Sequence, residues 1–350
     1  MRSTQGWAAD GSGVLRRTLL ERRELRADDI AVRIDYCGVC HSDLHALREH
    51  GAESTAPLVP GHEFTGVVTD IGQEVQRFRV GDAVAVGNIV DACLTCDMCK
   101  AGQENFCREF PTLTYGGADR RDGTENLGAF AREYVLREEF AHRLPEGLDP
   151  AAAAPLLCAG ITVWEPLRAL GVGPGMRVAV VGLGGLGHLA VKLAVALGAQ
   201  ATVVSRTADK AADARRLGAD ELLISGDSDA MAAARGRFDV VLDTVAIAHD
   251  LGPYLDLLAL DGTLAQLGHL GSVSIETTDL LIGRKRLTSG GSGGMPQTAQ
   301  LLEFCAEHDV VADIELLPSS RVEESLERLA RGDVRYRFVL DLSDLDVATP

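Results

Sequence analysis

The two halves of the chain place their apolar residues differently. Before residue 150, short apolar runs interrupted by glycine predict strands at 30–38, 66–72 and 82–86. After residue 176, each apolar run is followed by a glycine turn and a helical repeat. Strands are predicted there at 177–182, 201–205, 221–225, 238–245 and 263–268. The pattern therefore predicts an α/β protein, with an irregular mostly-β domain followed by a doubly wound parallel sheet.

Helices are predicted where apolar residues recur at helical spacing. One helix is expected from Asp149, as N-cap, through Leu170, with Pro150 at its first position. The other predicted helices are 188–199, 209–219, 296–308 and 321–331, and a last strand is predicted at 335–342. The glycine-rich stretch 290–295 predicts a turn or hinge.

Composition narrows the class of protein. The chain has 350 residues, enough for two domains, and no apolar run of about 18 residues that would predict a membrane span. A net charge of −17 repels nucleic-acid phosphates, so we expect no nucleic-acid partner and no membrane partner. The opening residues lack the apolar core of a secretion signal, which predicts a cytoplasmic protein with reduced cysteines.

Four cysteines lie close together in one segment, with the spacing C-x2-C-x2-C-x7-C. They are Cys93, Cys96, Cys99 and Cys107. Four thiolates at such separations favour a closed tetrahedral zinc site, and two disulfides are the alternative. A closed site stabilises the fold without offering a position to a substrate, so any chemistry is expected elsewhere.

A glycine-rich turn follows the predicted strand 177–182 and opens the next helix. It has the pattern G-x-G-x-x-G and is formed by Gly182, Leu183, Gly184, Gly185, Leu186 and Gly187. Glycines in this context let the backbone approach a pyrophosphate at a helix N-terminus, so dinucleotide binding is predicted. The alternative is a glycine turn that holds no ligand.

The end of the second strand of this half indicates which dinucleotide binds. Ser205, Arg206 and Lys210 stand where an acidic residue would select NAD, and cations there suit a 2′-phosphate. NADP(H) is therefore the predicted cofactor. Asp209 lies nearby and is expected to cap the helix that follows.

Candidate ligands for a second metal come from three separate segments. Cys40, His62 and Cys158 would form a Cys2His set with a free fourth position, as catalytic zinc sites have. Spacing alone does not bring these residues together. Cys158 is also compatible with a small buried thiol in a helix, and His62 with a loop histidine.

Six segments occur in an order that resembles a known family. They are CGVCHSDLH, VPGHE, the four-cysteine run, PLLCAGIT, GLGGLGH and VRYRFVLDL. Together they resemble the zinc-dependent medium-chain alcohol dehydrogenases, and within them the cinnamyl-alcohol-dehydrogenase-like branch. The resemblance implies a GroES-like catalytic domain at 1–153 and 293–350, and a Rossmann domain at 154–292.

The resemblance also implies a role for individual residues. It assigns a catalytic zinc to Cys40, His62 and Cys158, and a structural zinc to Cys93, Cys96, Cys99 and Cys107, which makes two zinc ions per subunit. Glu63 is implied beside the catalytic metal, Asp43 as the partner that orients the ligand histidine, and Ser42 with His45 as a proton relay. The implied cofactor contacts are His41 and Arg337 at the pyrophosphate and Thr162 near the nicotinamide.

The activity implied is hydride transfer between NADP(H) and an alcohol/aldehyde pair, mainly as an aldehyde reductase. The alternatives are reduction of an iminium or activated C=C bond, and a non-catalytic cofactor-binding zinc protein. His50 stands where plant-type relatives often carry tryptophan, and the aromatic candidates for the pocket wall are Trp164, Phe110 and Tyr115. Family members form dimers or tetramers, and the apolar segment 263–275 is a candidate strand for pairing across a two-fold axis.

Overall fold

The computed structural model describes residues 1–11, 13–50, 57–268 and 271–346. The chain divides into two compact units: unit 1 is Met1–Cys158 with Gly293–Pro350, and unit 2 is Ala159–Ser292. The domain boundaries predicted from the sequence, at 153/154 and 292/293, stay a prediction.

The helices and strands are numbered in chain order. Those before Ala159 are β1 (Arg2–Ala9), β2 (Leu15–Arg22), β3 (Asp29–Val39), α1 (His41–Glu49), β4 (Phe64–Ile71), β5 (Ala83–Val86), β6 (Ile89–Asp91), α2 (Asp97–Lys100), β7 (Thr112–Leu113), β8 (Glu133–Arg137), β9 (His142–Arg143) and α3 (Pro150–Ala153). Those of unit 2 are α4 (Ala159–Ala169), β10 (Arg177–Val181), α5 (Gly187–Ala196), β11 (Gln200–Ser205), α6 (Ala211–Arg216), β12 (Glu221–Ile224), α7 (Ser228–Ala233), β13 (Phe238–Asp243), α8 (Gly252–Asp256), β14 (Leu258–Gln266), α9 (Thr277–Leu281) and β15 (Arg286–Ser289). Those after Ser292 are α10 (Met295–His308), β16 (Ile314–Pro318), α11 (Val322–Ala330) and β17 (Arg337–Asp341). Short 3-10 turns lie at Glu104–Phe106, Glu138–Phe140, Ala154–Leu157, Ala208–Lys210, Ser319–Arg321 and Ser343–Asp346.

Unit 1 is built on a seven-stranded sheet with the path β16-β17-β3-β4-β5-β9, and β8 also pairs with β3. The strands predicted at 30–38, 66–72 and 82–86 are present as β3, β4 and β5. The last strand of the chain, β17, lies antiparallel to β3, with Phe338 opposite Val39 and Leu340 opposite Cys37. The carboxyl end of β3, which leads to Cys40, is thus held in the middle of the sheet.

Unit 2 is a six-stranded parallel sheet in the order β12-β11-β10-β13-β14-β15. Val178, Val180 and Val203 are inaccessible to solvent, as expected for strands covered on both faces. The order places β10 and β13 side by side at the point where the chain direction reverses, the usual site of a ligand crevice. The prediction of a mostly-β domain plus a Rossmann-type sheet is confirmed.

One predicted helix is wrong as a single element. Residues 149–170 form α3, a 3-10 turn and α4, and Cys158 between them has φ −127° and ψ −73°. Pro155 has no N–H to continue an α-helical ladder, so it starts a new turn. The beginning was predicted correctly, because the Asp149 carboxylate accepts the N–H of Ala152 at 2.9 Å.

Two smaller expectations are also wrong. Asp209 does not cap a helix: it lies inside the 3-10 turn, whose N-cap is Thr207. Residues 263–266 cannot pair with a second subunit across a two-fold axis, because β14 already pairs with β13 on one side and β15 on the other. Residues 269 and 270 of that proposed strand lie outside the described residues. The edge strand β15 was missed, since its four residues do not form an apolar run.

Among the helices of the described residues, none combines the length and the apolar composition needed to cross a bilayer.

Candidate active site and metal centres

The four cysteines of the C-x2-C-x2-C-x7-C segment converge around α2. Their sulfur atoms all lie within 4.8 Å of one another, and those of Cys93 and Cys99 are 3.9 Å apart. Tetrahedral zinc with bonds of about 2.3 Å separates its sulfur ligands by about 3.8 Å. All four cysteines are free, so the disulfide alternative is not what the fold contains. The donor set and its spacing fit a closed zinc site.

Backbone amides prepare this cluster for a cation. The N–H of Cys96 points to the sulfur of Cys93 at 3.3 Å, and the N–H of Arg108 points to the sulfur of Cys96 at 3.5 Å. The backbone amides of Thr95 and Cys96 lower the pKa of Cys93 to about 6. The Arg108 amide similarly lowers the pKa of Cys96. These contacts favour the thiolate, which is the form that binds metal.

The second cluster is assembled from three distant parts of unit 1. Cys40 lies between β3 and α1, His62 precedes β4, and Cys158 occupies the break before α4. The sulfurs of Cys40 and Cys158 are 3.8 Å apart, and Nε2 of His62 is 3.3 Å from the Cys158 sulfur. Tetrahedral zinc would require about 3.8 Å and about 3.6 Å for these pairs. Three donors at such distances fit a zinc ion that keeps a fourth position for another ligand.

Asp43 connects two of these three residues. Its carboxylate is fully buried, and Oδ1 lies 3.1 Å from Nδ1 of His62 while it accepts the N–H of Gly61 at 2.9 Å. Oδ2 accepts the N–H of Cys40 at 2.8 Å. Because Nδ1–H donates to a carboxylate, the lone pair of Nε2 is directed to the cluster. The role that the resemblance gives Asp43 is consistent with this geometry.

Charges in the second cluster are strongly coupled. A hydrogen bond from the Cys158 thiol lowers the pKa of Cys40, and the same contact raises the pKa of Cys158. Both cysteines would bind a metal ion as thiolates.

Glu63 and Arg337 form an ion pair beside this cluster. Both side chains are buried, and burial raises the pKa of Glu63 to about 7 against the opposing charge of Arg337. Within the described part of the chain, Oε2 of Glu63 and Nε of Arg337 have no hydrogen-bond partner. Each partner was named from the sequence, but their contact was not, since 274 positions separate them. The pyrophosphate contact assigned to Arg337 stays a prediction.

The residues of the implied proton relay lie on the first turns of α1. Ser42 and His45 are exposed and three positions apart, which places them on one face of the helix. The Ser42 hydroxyl is 3.7 Å from the Cys40 sulfur, and His41 at the helix start is also exposed. Ser42 is therefore adjacent to the three-donor cluster, while His45 reaches solvent.

The aromatic candidates for a pocket wall differ in position. The Tyr115 ring lies 5.7 Å from that of His62, whereas Phe110 is 71% exposed and Trp164 is buried in unit 2. Tyr115 thus packs against one residue of the three-donor cluster.

The glycine turn of unit 2 borders a crevice of about 700 Å³. Gly182 has φ +89°, and a Cβ on Gly187 would lie 2.1 Å from the carbonyl oxygen of Gly182. Gly184, Gly185 and Leu186 line the same crevice. The turn thus provides the close backbone approach that a pyrophosphate requires, and the residues present fit a dinucleotide.

Ser205, Arg206 and Lys210 line the crevice at the end of β11. None of the described lining residues is an aspartate or a glutamate. Thr162 does not belong to this wall: it lies on α4, and its hydroxyl donates to the carbonyl of Gly291 at 2.9 Å.

The opposite wall holds a pair that the sequence analysis missed. Asp243 ends β13, and its Oδ2 lies 2.8 Å from Nε2 of His249, which lines the crevice. Ligand-site residues usually lie at the carboxyl ends of buried parallel strands. The aspartate at the end of the apolar run 238–243 was therefore a signal in the sequence.

Two family models match this chain. Residues 26–146 match the family model of the alcohol dehydrogenase GroES-like domain, and residues 185–307 match that of zinc-binding dehydrogenases.

Curated relatives match along nearly the whole chain. A protein of Arabidopsis thaliana named probable cinnamyl alcohol dehydrogenase 6 is 44% identical over 98% of this chain and 95% of its own length. NADP-dependent alcohol dehydrogenase C 1 of Mycolicibacterium smegmatis is 45% identical over 97% of both chains.

Solved structures match equally well. A cinnamyl alcohol dehydrogenase from Sorghum bicolor superimposes with a TM-score of 0.93, at 39% identity over 99% of each chain. A Helicobacter pylori protein, crystallised with NADP(H), gives 0.89 at 30% identity over 97% of this chain and 98% of its own. The chain belongs to the zinc-dependent medium-chain alcohol dehydrogenases, in the branch of the cinnamyl alcohol dehydrogenases.

Proposed function

We propose that this alcohol dehydrogenase uses NADP(H) and works mainly as an aldehyde reductase. Unit 1 is the catalytic domain with two zinc sites, and unit 2 is the cofactor domain. The observation that carries the proposal is the convergence of Cys40, His62 and Cys158 at zinc-compatible distances, apart from the closed four-cysteine cluster.

When bound, zinc acts as a Lewis acid on the oxygen of the substrate, and NADPH supplies the hydride. Cys40, His62 and Cys158 would hold the metal, and the two thiolates would balance its charge. Asp43 fixes the imidazole of His62 in the tautomer that leaves Nε2 free. Glu63 lies beside the cluster, and its buried Oε2 has no hydrogen-bond partner among the described residues.

Reduction of an aldehyde also needs a proton at the product oxygen. The Ser42 hydroxyl donates this proton, and the exposed His45 on the same helix face returns one from solvent. The position of Ser42, 3.7 Å from the Cys40 sulfur, supports the assignment.

The cofactor is NADP(H) because the crevice offers Ser205, Arg206 and Lys210 to a 2′-phosphate. The names of the Mycolicibacterium relative and of the Helicobacter structure support the same preference. His41 and Arg337 are assigned to the pyrophosphate and Thr162 to the nicotinamide. We further propose a cytoplasmic homodimer or homotetramer that acts on small alcohols and aldehydes.

A substrate screen that follows NADPH absorbance tests the proposal. Aldehydes should be reduced with a kcat/KM at least about tenfold higher for NADPH than for NADH, and Ser205→Asp should lower that ratio because a carboxylate repels the 2′-phosphate. An unchanged ratio contradicts the cofactor assignment.

Cyclic iminium compounds, assayed in parallel, separate the alternative activity. Their reduction needs no proton from Ser42, so Ser42→Ala should spare it while aldehyde reduction falls. Turnover of iminium substrates alone overturns the aldehyde proposal, and no turnover of any substrate favours the non-catalytic alternative.

A further inference from the structure

The Asp243–His249 pair joins the buried end of β13 to a loop of the crevice. The Asp243 side chain is inaccessible to solvent, and that of His249 is 21% exposed. Oδ1 of Asp243 accepts the N–H of Val245 at 3.0 Å, which leaves Oδ2 to face the histidine. The carboxylate is thus held from both sides, and its position is set by the sheet rather than by solvent.

The two nitrogens of His249 both face hydrogen-bond acceptors. Nδ1 lies 2.7 Å from the carbonyl oxygen of Ile247, and Nε2 lies 2.8 Å from Oδ2 of Asp243. A carbonyl oxygen only accepts, so Nδ1 carries a hydrogen. Nε2 faces the second acceptor, so both ring nitrogens tie the histidine to the end of β13 and to its loop.

The contact of Nδ1 reaches the backbone of Ile247. The carbonyl of Ile247 is tied to the ring of His249, while its side chain lines the crevice and is 73% exposed. The Tyr254 ring supports His249 from α8 in an edge-to-face contact, with ring centres 5.5 Å apart. An exposed isoleucine beside Ala248 on the wall offers an apolar surface to a flat ligand group.

We propose that Asp243 and His249 are positioning residues that hold Ile247 as the apolar wall for the adenosine half of the dinucleotide. The inference rests on the proposed function only in that the ligand is a dinucleotide, since both NADP(H) and NAD(H) contain adenosine. A loop already held in its binding conformation avoids the entropy cost of being ordered when the ligand arrives.

Binding of fragments by calorimetry tests this proposal without turnover. In the full chain, His249→Leu should weaken binding of 2′,5′-ADP and of 5′-AMP by the same factor, about tenfold, because neither nitrogen contact remains. Asp243→Asn should stay within about twofold of the wild type. The amide nitrogen of Asn can donate to Nε2 of a neutral ring, while its oxygen still accepts from Val245.

Two further variants separate the wall from phosphate recognition. Ile247→Ala leaves the pair intact and should weaken both fragments, whereas Ser205→Asp should weaken 2′,5′-ADP alone. With NADPH, His249→Leu should raise KM and leave kcat unchanged. Equal weakening of both fragments in a chain that does not prefer NADPH would contradict the cofactor assignment and support the pair's role.

A nitrogen-15 NMR spectrum of the histidines gives a readout of the pair itself. His249 should show a hydrogen on Nδ1 in the wild type and in Asp243→Asn. This readout stands even if one variant unfolds, which circular dichroism would reveal. Wild-type affinity in His249→Leu or in Ile247→Ala overturns the proposal, as does a wild-type spectrum with a lone pair on Nδ1.

Discussion

The two clusters of candidate metal ligands in unit 1 are built in opposite ways. The four-cysteine cluster takes all its donors from residues 93–107, within one loop around α2. The three-donor cluster takes Cys40, His62 and Cys158 from segments that meet only when the sheet has formed. Four donors close the first site, and three leave the second open. A local site therefore stabilises the structure around it, whereas a dispersed site depends on structure that exists already.

The largest effect should come from breaking the closed site. A structural zinc contributes about 10–16 kcal/mol of apparent binding energy, which is comparable to the stability of a whole domain. Cys96→Ser should therefore lower the melting temperature by more than about 15 °C or prevent folding. Cys158→Ala should change it by only a few degrees, which scanning calorimetry would measure.

The Cys158→Ala variant should also differ from the wild type in metal content. The zinc content of Cys158→Ala should fall from about two ions per chain to about one, and nearly all turnover should be lost. Two zinc ions per chain in this variant, or a Cys96→Ser protein with wild-type melting, would remove the distinction between the clusters.

Chelation should separate the two sites in time. Dipicolinate can approach an open coordination position, so activity should disappear at least about tenfold faster than the second zinc is released. Unfolding should follow only the second loss, and zinc re-addition after the first should restore activity. A colorimetric zinc indicator would measure the release. Simultaneous loss of both ions would contradict the assignment of one open and one closed site.

The next effect concerns the proton rather than the metal. Ser42→Ala should lower kcat for aldehyde reduction by about 10²–10⁴-fold, the usual contribution of a positioned proton donor. Zinc content and the dissociation constant of NADPH should stay unchanged. Ser343→Ala, an exposed serine of the same unit, is the matched control and should retain full activity. Equal rates for the two variants would refute the relay.

The smallest effect compares the aspartate that accompanies each cluster. Asp43 is buried and holds His62 and Cys40, so Asp43→Asn should weaken zinc binding at the open site by about 10–100-fold. Asp97 is 61% exposed and pairs with Arg108 on the surface. Asp97→Asn should lower the free energy of unfolding by less than about 1 kcal/mol and leave the zinc content unchanged. Competition with a fluorescent zinc chelator would measure both.

The same contrast explains which features could be predicted from the sequence. The apolar strands of unit 2, the glycine turn at Gly182 and the four-cysteine spacing are local signals, and each can be read from a short stretch of sequence. The ligand set Cys40, His62 and Cys158 was not accessible to spacing, and only the resemblance to a family brought it forward.

Other features depend on contacts that no local pattern encodes. The break of the predicted helix at Cys158 follows from Pro155 and from the packing around it. The pairing of Glu63 with Arg337 joins opposite ends of the chain, and β15 is a polar edge strand that its neighbour β14 recruits. These are tertiary effects that override or escape local propensity.

The position of β17 has a consequence for synthesis of the protein. β17 pairs with the carboxyl end of β3, a few residues from Cys40. That edge of β3 therefore stays open until residues 337–341 have left the ribosome. Unit 2 is contiguous and can complete its own sheet during this interval. Nascent chains truncated before β17 should thus expose an unpaired strand edge and aggregate, so a chaperone would be needed at that stage rather than after release.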